Sequence, residues 1–318
     1  MRVVALAGGV GGAKMVDGLA QALPPNDLTV IVNTGDDFEF LGLKICPDLD
    51  TVCYTLAGIA NPSTGWGRAD ETWNALENIV ALGGPGWFRL GDKDLGTHFE
   101  RTRLLKTGCS LSQITDRFCK SWGIIHRILP MSDDPVSTIV CSNQGEIPFQ
   151  EYFVRLRCEP KVIGFKFNGV KLARPSPGVL ESIKQADLVV ICPSNPWVSV
   201  DPIISVDGIF DGIKPQVVIA ISPIIGGRAV KGPAAKMFVE LGIKPSPAAV
   251  ANHYGSKQND GILNGIVIDN VDEIYKNQIS ELGFEVLITE TVINSPSARL
   301  QLAQNVLLFG RNLLESFT

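Results

Sequence analysis

Residues 1–20, MRVVALAGGVGGAKMVDGLA, decide the fold of this chain. Residues 3–7 form a short apolar run typical of a buried strand, residues 8–12 are rich in glycine, and residues 13–20 carry apolar side chains at helical spacing. A strand, a glycine-rich turn and a helix in this order bring backbone N–H groups and a helix N-terminus to one point, where they can bind an anion. The stretch therefore predicts an α/β protein whose ligand carries phosphate.

The glycine turn is not a complete dinucleotide-binding fingerprint. Gly9 and Gly11 match its first two glycines, but Lys14 stands at the third, and no Gly-Lys-Ser/Thr sequence completes a Walker A loop. A tight turn that binds nothing is the alternative interpretation. We predict that Gly9, Gly11, Gly12 and Lys14 bind phosphate, because the lysine adds a positive charge beside the free backbone donors.

The composition limits the classes of protein that this chain can be. Its 318 residues are enough for a large α/β domain, and its net charge of −5 argues against non-specific binding to nucleic acid. No apolar run reaches the about 18–20 residues of a membrane span, and the chain starts on a strand without a leader, so we expect a cytoplasmic protein. The seven cysteines contain no C-x-x-C pair, which favours free thiols.

The alternation of strands and helices predicts a Rossmann-like α/β fold, a mostly parallel sheet with helices on both faces. Residues 28–32 complete a βαβ unit, and residues 188–192 and 217–221 are continuous apolar runs, typical of strands buried on both faces. A smaller helical and hairpin lobe interrupts the alternation, with helices predicted at 71–82 and 97–107, a capping box at 110–113 and a hairpin at 137–141 and 147–153. We expect one domain over residues 1–318, in which about 60–175 form an inserted lobe that caps the site.

Three strands of the predicted sheet each end in polar or glycine residues, which are Asn33, Ser194, Asn195, Ser222 and Gly226. The carboxyl ends of parallel strands share one edge of a sheet, and ligands bind at that edge. We therefore expect these residues to bind a nucleotide together with the glycine turn. The alternative is that they only form turns, as Pro, Gly, Ser and Asn often do.

Four aspartates follow the second strand closely. Asp36 and Asp37 come first, and Asp48 and Asp50 stand in a Pro-Asp-Leu-Asp-Thr block, where an extended backbone would point both in the same direction. One or two carboxylates beside a phosphate site are the usual protein ligands of Mg²⁺. We predict that Asp37 and Asp50 bind Mg²⁺ and interpret Asp36 and Asp48 as turn or helix-cap residues. With no evident covalent nucleophile, the pattern indicates a phosphoryl-type transfer.

The segment at residues 89–98 is dense in charges of both signs. Lys93 and His98 are candidates for contact with a substrate, and Asp94 or Thr97 for the cap of the helix that follows. A solvated loop is the alternative.

These motifs together resemble the 2-phospho-L-lactate transferase family of deazaflavin coenzyme biosynthesis. They keep the family's order from the first residues to beyond residue 236, and the Pro-Asp-Leu-Asp-Thr and Ser-Pro-Ile-Ile-Gly blocks are the specific ones. The matching stretches are residues 8–14, 33–37, 46–51, 90–94, 129–133, 193–196 and 222–226.

The resemblance implies a reaction. The family transfers the phospho-acid part of a guanosine diphosphate ester of lactate, or of enolpyruvate, to the ribityl hydroxyl of a deazariboflavin, and GMP leaves. By matching motif, Asp37 and Asp50 would bind Mg²⁺, Asp50 and Lys93 would contact the deazaflavin, and these three would be the catalytic residues. The guanosine diphosphate part would contact Gly9, Gly11, Gly12, Lys14, Asn33, Ser194, Asn195, Ser222 and Gly226. The resemblance also implies a homodimer with small-molecule substrates and the product core of coenzyme F420.

Two other functions remain open at this point. A related group of bacterial proteins shares the fold and the glycine turn but binds a nucleotide-sugar as a regulator without turnover. An NAD-dependent oxidoreductase is the other, although the third glycine of its fingerprint is missing. The sequence does not say which three-carbon acid the donor carries.

Overall fold

The computed structural model describes residues 1–316. The strands, in chain order, are β1 (Val3–Ala7), β2 (Leu28–Val32), β3 (Phe38–Phe40), β4 (Leu43–Ile45), β5 (Arg127–Pro130), β6 (Ser137–Ser142), β7 (Gly145–Pro148), β8 (Val162–Asn168), β9 (Leu188–Ile191), β10 (Val217–Ile221), β11 (Ile224–Ile225), β12 (Arg228–Ala229), β13 (Gly265–Asp269) and β14 (Glu285–Thr289). The helices are α1 (Gly9–Ala22), α2 (Pro47–Leu56), α3 (Asn74–Ala81), α4 (Asp92–Lys106), α5 (Leu111–Ser121), α6 (Val179–Gln185), α7 (Asp201–Ile204), α8 (Ile209–Ile213), α9 (Ala234–Glu240), α10 (Pro247–Tyr254), α11 (Lys276–Glu281) and α12 (Pro296–Ser316).

A seven-stranded parallel sheet forms the centre of the molecule, in the order β14-β13-β10-β9-β1-β2-β5. The chain runs from β1 through β2 to β5 at one edge, and later returns to place β9 on the other side of β1. The strand order therefore reverses between β1 and β9, which is where open α/β sheets bind ligands. This arrangement confirms the predicted Rossmann-like α/β fold.

The two faces of the sheet are buried in separate hydrophobic cores. Along β1, Val3, Ala5 and Ala7 belong to the core under α1, α2 and α12, whereas Val4 and Leu6 belong to the opposite core. This alternation is the two-residue period of a strand covered on both sides. Because α1 and α12 pack closely on the first face, the N-terminus of α1 is held at the carboxyl edge of β1.

The stretch from about residue 60 to 175 contributes to more than one part of the structure. It contains α3, α4, α5 and the antiparallel sheet β7-β6-β8, but it also supplies β5 to the central sheet. That these residues cap the site as a lobe stays a prediction. The predicted capping box of α5 is confirmed, because the Ser110 hydroxyl accepts from the Gln113 N–H and the Gln113 side chain accepts from the Ser110 N–H.

Several predicted element boundaries were wrong, and helix α3, predicted at 71–82, begins at Asn74. The second strand of the hairpin ends at Pro148 rather than residue 153, since proline lacks the N–H that a ladder needs, and Glu151–Arg155 form a π-helical turn. Helix α4 begins at Asp92, not at residue 97, because the Glu71 carboxylate accepts from the Lys93 and Asp94 N–H groups at 2.8 Å each. Helix α1 begins at Gly9, so the glycines form its first turn. Within residues 1–316, no helix is both long and apolar enough to cross a membrane.

Candidate active site

The glycine turn lies at the reversal of strand order and is packed against the end of β9. A Cβ on Gly11 would lie 2.5 Å from the Pro193 carbonyl oxygen, and one on Gly12 would lie 2.7 Å from the Ser194 hydroxyl. Gly9 differs, because it has φ +64° and no atom of the described residues lies within 4 Å of its Cβ position. Gly11 and Gly12 are therefore required by packing, whereas Gly9 is required by its backbone conformation and faces open space.

The predicted nucleotide-binding residues at the strand ends make their hydrogen bonds mainly within the protein. The Ser194 hydroxyl donates to the Gly8 carbonyl at 2.8 Å, and the Asn33 amide donates to Asp48 at 2.9 Å and to the Val198 carbonyl. The Asn195 side chain accepts from the Trp197 N–H. The Ser222 hydroxyl accepts from the Ile224 N–H and donates to the Ile224 carbonyl. The Gly226 N–H donates to the Asp272 carboxylate. These residues fix the loops at the carboxyl edge, and their role toward a nucleotide stays a prediction.

Asp48 and Asp50 do not share a face, contrary to the expectation for an extended chain. Pro47 opens helix α2, in which two positions are about 200° apart, so the two carboxylates point to different partners. Asp48 accepts from the Gly9 N–H at 2.8 Å and from the Asn33 amide, while Asp50 contacts residues of α4. Asp48 therefore links α2 to the glycine turn at the start of α1 and is not the N-cap of its own helix, which is Cys46.

Asp50 belongs to a buried network centred on Arg101. The Arg101 guanidinium donates to Asp50 Oδ1 and lies 3.1 Å from His98 Nδ1, and His98 Nδ1 lies 3.7 Å from Asp50 Oδ2. Behind them, the Tyr54 hydroxyl donates to Asp94 at 2.6 Å. Arg101 thus holds one oxygen of Asp50 and leaves the other, Oδ2, without a hydrogen bond among the described residues.

Asp37 is a further buried acid on which the charge of Arg101 acts. It forms an ion pair with Lys44 at 3.2 Å, yet neither of its oxygens accepts a hydrogen bond in the part of the chain that the structure describes, and Asp36 Oδ1 accepts none either. Burial raises the pKa of Asp37, against the opposing charges of Lys44 and Arg101, and burial likewise raises the pKa of Asp50. Buried carboxylate oxygens without donors are strongly stabilised by a cation.

The donor set of this acidic group fits Mg²⁺. Asp37 and Asp50 offer hard oxygens, and Mg²⁺ takes one or two carboxylates with water and phosphate oxygens completing its shell. Among residues 1–316, no group of three or more His, Cys, Asp or Glu side chains is arranged as a metal site. A cation held here would therefore need ligands from the substrate.

The two lysines that we predicted to bind substrate, Lys14 and Lys93, do not contact the buried acids. Lys93 is exposed in the first turn of α4, and its ammonium donates to the Ala69 carbonyl at 3.2 Å. Lys14, half-buried on α1, donates to Asn294 Oδ1 at 3.3 Å, and burial together with the charges of Lys231 and Arg299 lowers its pKa. Neither lysine contacts the predicted metal ligands.

Sequence reasoning missed Arg101 and Lys44, the two cations that pair with Asp50 and Asp37. A usable signal existed for Arg101, because Asp94, His98 and Arg101 stand at i, i+4 and i+7 and so lie on one face of a helix. No local pattern around Lys44 indicates its pairing with Asp37. The lysine follows the β3-β4 turn, and only the folded hairpin brings it to the acidic group.

Comparison with known proteins places the chain in a family. A family model described as 2-phospho-L-lactate transferase CofD matches residues 3–294. A phosphoenolpyruvate transferase of Streptomyces griseus subsp. griseus is 45% identical over 320 residues, covering 96% of this chain and 99% of that protein. A phosphoenolpyruvate transferase of Streptomyces coelicolor is 43% identical over 323 residues, covering 99% of this chain and 100% of that protein.

Among solved structures, a member of the upf0052 family from Bacillus halodurans has a TM-score of 0.61 at 17% identity, covering 96% of this chain and 98% of that one. This likeness supports the fold alone. The match to the family model and the identity to full-length relatives go further, because they extend over nearly the whole chain and include the acidic and glycine-rich stretches of the site. The chain therefore belongs to the 2-phospho-L-lactate transferase CofD family and is a transferase.

Proposed function

We propose that this transferase moves a phosphoenolpyruvyl or 2-phospholactyl group from a guanosine diphosphate donor to the ribityl hydroxyl of 7,8-didemethyl-8-hydroxy-5-deazariboflavin. GMP is released, and the product is the core of coenzyme F420. The names of the relatives favour the enolpyruvyl donor. The observation that carries the proposal is the pairing of a helix N-terminus with buried carboxylates at the reversal of strand order, which suits a phosphate and a divalent cation at one place.

The donor binds at the N-terminus of α1 in this proposal. Helix starts leave backbone N–H groups unpaired, and those of Val10 and Gly11 follow the Gly9 N–H that Asp48 already uses. Gly9 leaves open space beside this turn, so a phosphate can approach the backbone closely. The half-buried Lys14 adds positive charge for the diphosphate, and the strand-end loops that carry Asn195, Ser222 and Gly226 surround the guanosine.

Asp37 and Asp50 hold Mg²⁺ in this proposal. The metal, when bound, offsets the negative charge that repels an attacking hydroxyl from phosphorus. The chain's own part is to keep both carboxylates ionised and oriented, which Lys44 does for Asp37 and Arg101 does for Asp50. Asp50 acts in this proposal as a metal ligand through Oδ2 rather than as a general base, because a carboxylate bound to metal is a poor general base.

The deazaflavin lies between Asp50 and Lys93 in this proposal. Both residues are positioned by α4, since Arg101 on this helix fixes Asp50, and Lys93 extends from its first turn. Lys93 is exposed, and its bond to the neutral Ala69 carbonyl can be exchanged for one to an anionic substrate group. The enzyme is expected to work as a homodimer, which light scattering after size exclusion would test.

A product assay tests the reaction. Purified protein, Mg²⁺, the deazariboflavin and each guanosine diphospho-acid are incubated, and the products are read by mass spectrometry. We expect a phospho-acyl deazaflavin in equal amount to GMP, and more of it with the enolpyruvyl donor. Nucleotide binding without any product would instead favour the nucleotide-binding regulatory protein.

Asp50→Asn tests the site in the same assay. The variant keeps the size of the side chain but loses its charge, so we expect turnover to fall by at least two orders of magnitude. Affinity for GDP without metal should stay within a few-fold. Wild-type turnover in Asp50→Asn would contradict the assignment of Asp50 as a metal ligand.

A further inference from the structure

Lys231 contacts a loop that packs against the glycine turn. It follows β12, and its ammonium donates to the Thr64 carbonyl at 2.8 Å. The neighbouring Gly65 lies so close to the turn that a Cβ on it would come within 2.6 Å of Val10 Cγ1 and 3.3 Å of the Lys231 ammonium. The first turn of α1, the loop at Thr64 and the loop at Lys231 therefore meet at one place.

The two lysines at this place have no acidic partner among residues 1–316. Lys14 and Lys231 lie close enough that their charges act on each other, and burial, then Lys231 and Arg299, lower the pKa of Lys14. Arg299 is paired with Asp17 at 2.9 Å. Within residues 1–316, neither Lys14 nor Lys231 has a carboxylate within ion-pair distance; their hydrogen bonds go to the neutral oxygens of Asn294 and Thr64.

Some other lysines in the molecule are paired with acids. Lys44 is paired with Asp37, and Lys236 with Glu240. Two neighbouring ammonium groups that bind only neutral oxygens repel each other, and an anion with at least two negative charges relieves that repulsion. A phosphate oxygen carries negative charge that the Thr64 carbonyl oxygen lacks, so phosphate attracts the Lys231 ammonium more strongly than its present acceptor does.

We propose that Lys231 is a second phosphate-binding lysine, which acts with Lys14 to bind the two phosphates of a nucleoside diphosphate over the first turn of α1. This inference rests on the proposed function, because it assigns the diphosphate of the donor to this place. It adds a residue outside the strand-end motifs. It also gives a role to the loop that carries Lys231.

Calorimetric titration of the full-length protein with GDP and with GMP tests the inference. Lys231→Met should bind GDP roughly 10- to 100-fold more weakly than wild type, the loss expected for one charged hydrogen bond. GMP, which lacks the second phosphate, should lose less affinity. Lys231→Arg should recover part of the GDP affinity, because the charge is restored.

Lys184→Met is the matched control. Lys184 is exposed on α6, which leads into the start of β9 at the opposite edge of the sheet, so its loss removes one positive charge away from the site. We expect its GDP affinity to equal that of wild type. If wild type binds GDP and Lys231→Met binds it as tightly, this inference is wrong while the proposed function stands. If wild type binds no GDP, both are wrong.

Discussion

Asp48 on α2 accepts a 2.8 Å hydrogen bond from the backbone N–H of Gly9, so the acidic helix and the glycine turn form one unit. The other oxygen of the same carboxylate accepts from the Asn33 amide at the end of β2. One buried side chain thus joins the loops after β1 and β2. The cation-binding and phosphate-binding parts of the proposed site are therefore fixed relative to each other before any ligand arrives.

Asp48→Ala should destabilise the protein. The substitution leaves the Gly9 N–H and the Asn33 amide without their acceptor, and each buried donor left unpaired costs about 1–3 kcal/mol. Burial raises the pKa of Asp48 to about 6, which means that the folded state disfavours the ionised carboxylate. Removal of this carboxylate therefore offsets part of the loss. We expect urea unfolding to show a net loss of about 2 kcal/mol. Asp207→Ala, at an exposed aspartate, should change little, and equal stability of the two variants would contradict the linking role.

Arg101→Met should destabilise the protein more strongly. It leaves the Asp50 carboxylate buried without its guanidinium partner, and breaking a buried ion pair from one side costs about 3–5 kcal/mol. Arg101→Met combined with Asp50→Asn should recover part of that loss, since no uncompensated charge remains. Arg103→Met, two residues further on, breaks only an exposed pair with Glu100 and should cost about 0–1 kcal/mol. Additive losses in the double variant would show that the pair is not coupled.

Alanine substitutions at Gly11 and Gly9 should distinguish a glycine that is required by packing from one that is required by its backbone conformation. Gly11→Ala places a methyl group 2.5 Å from the Pro193 carbonyl oxygen, so the end of β9 must shift, at a cost of about 1–3 kcal/mol. Gly9→Ala meets no neighbour but must keep φ +64°, at a cost of about 1–2 kcal/mol. The new methyl group fills the space that we assign to phosphate, so Gly9→Ala should weaken GDP binding at least tenfold. GDP affinity equal to wild type in Gly9→Ala would place the phosphate elsewhere.

The central sheet could be predicted because the sequences of its strands are themselves typical of buried strands. Strands β9 and β10 are unbroken apolar runs, and every residue in them is buried. Strand β8 was not predicted, because its sequence VIGFKFN contains a glycine and a lysine and is only partly buried. It is stabilised by pairing with β6, a distant partner that no local pattern reveals.

The sequence predicted which loops form the candidate site. It did not predict the contacts between the side chains within the site. The rule that ligands bind at the carboxyl edge of a parallel sheet brought Asn33, Asp37 and Ser194 to one region. The partners of the acids could not be read in the same way, since Arg101 lies 51 positions from Asp50 and reaches it only when α4 packs beside α2. The expectation for Asp48 and Asp50 was wrong because the block was assumed to be extended.

The caps of α3 and α4 should give the protein a pH-dependent local stability. Asp92, in the first turn of α4, accepts from the Thr72 hydroxyl at 2.6 Å and from the N–H groups of Ala75 and Asn74 at the start of α3. The hydrogen bond from Thr72, with those from Ala75 and Asn74, lowers the pKa of Asp92 to about 2. Glu71 caps α4 in return, so each helix start binds a carboxylate from the other's segment.

The lowered pKa means that the folded state prefers ionised Asp92, so this stabilisation is complete above the ordinary value of 3.8 and is lost as the pH falls toward 2. Hydrogen exchange of the α3 amides measures it. In Asp92→Ala, α3 should exchange several-fold faster than in wild type at pH 6, and the difference should shrink steadily between pH 4 and pH 2. Asp116→Ala, at an exposed aspartate of α5, should leave exchange in α3 unchanged. A difference between wild type and Asp92→Ala that stays constant down to pH 2 would show that the cap does not depend on the charge of Asp92.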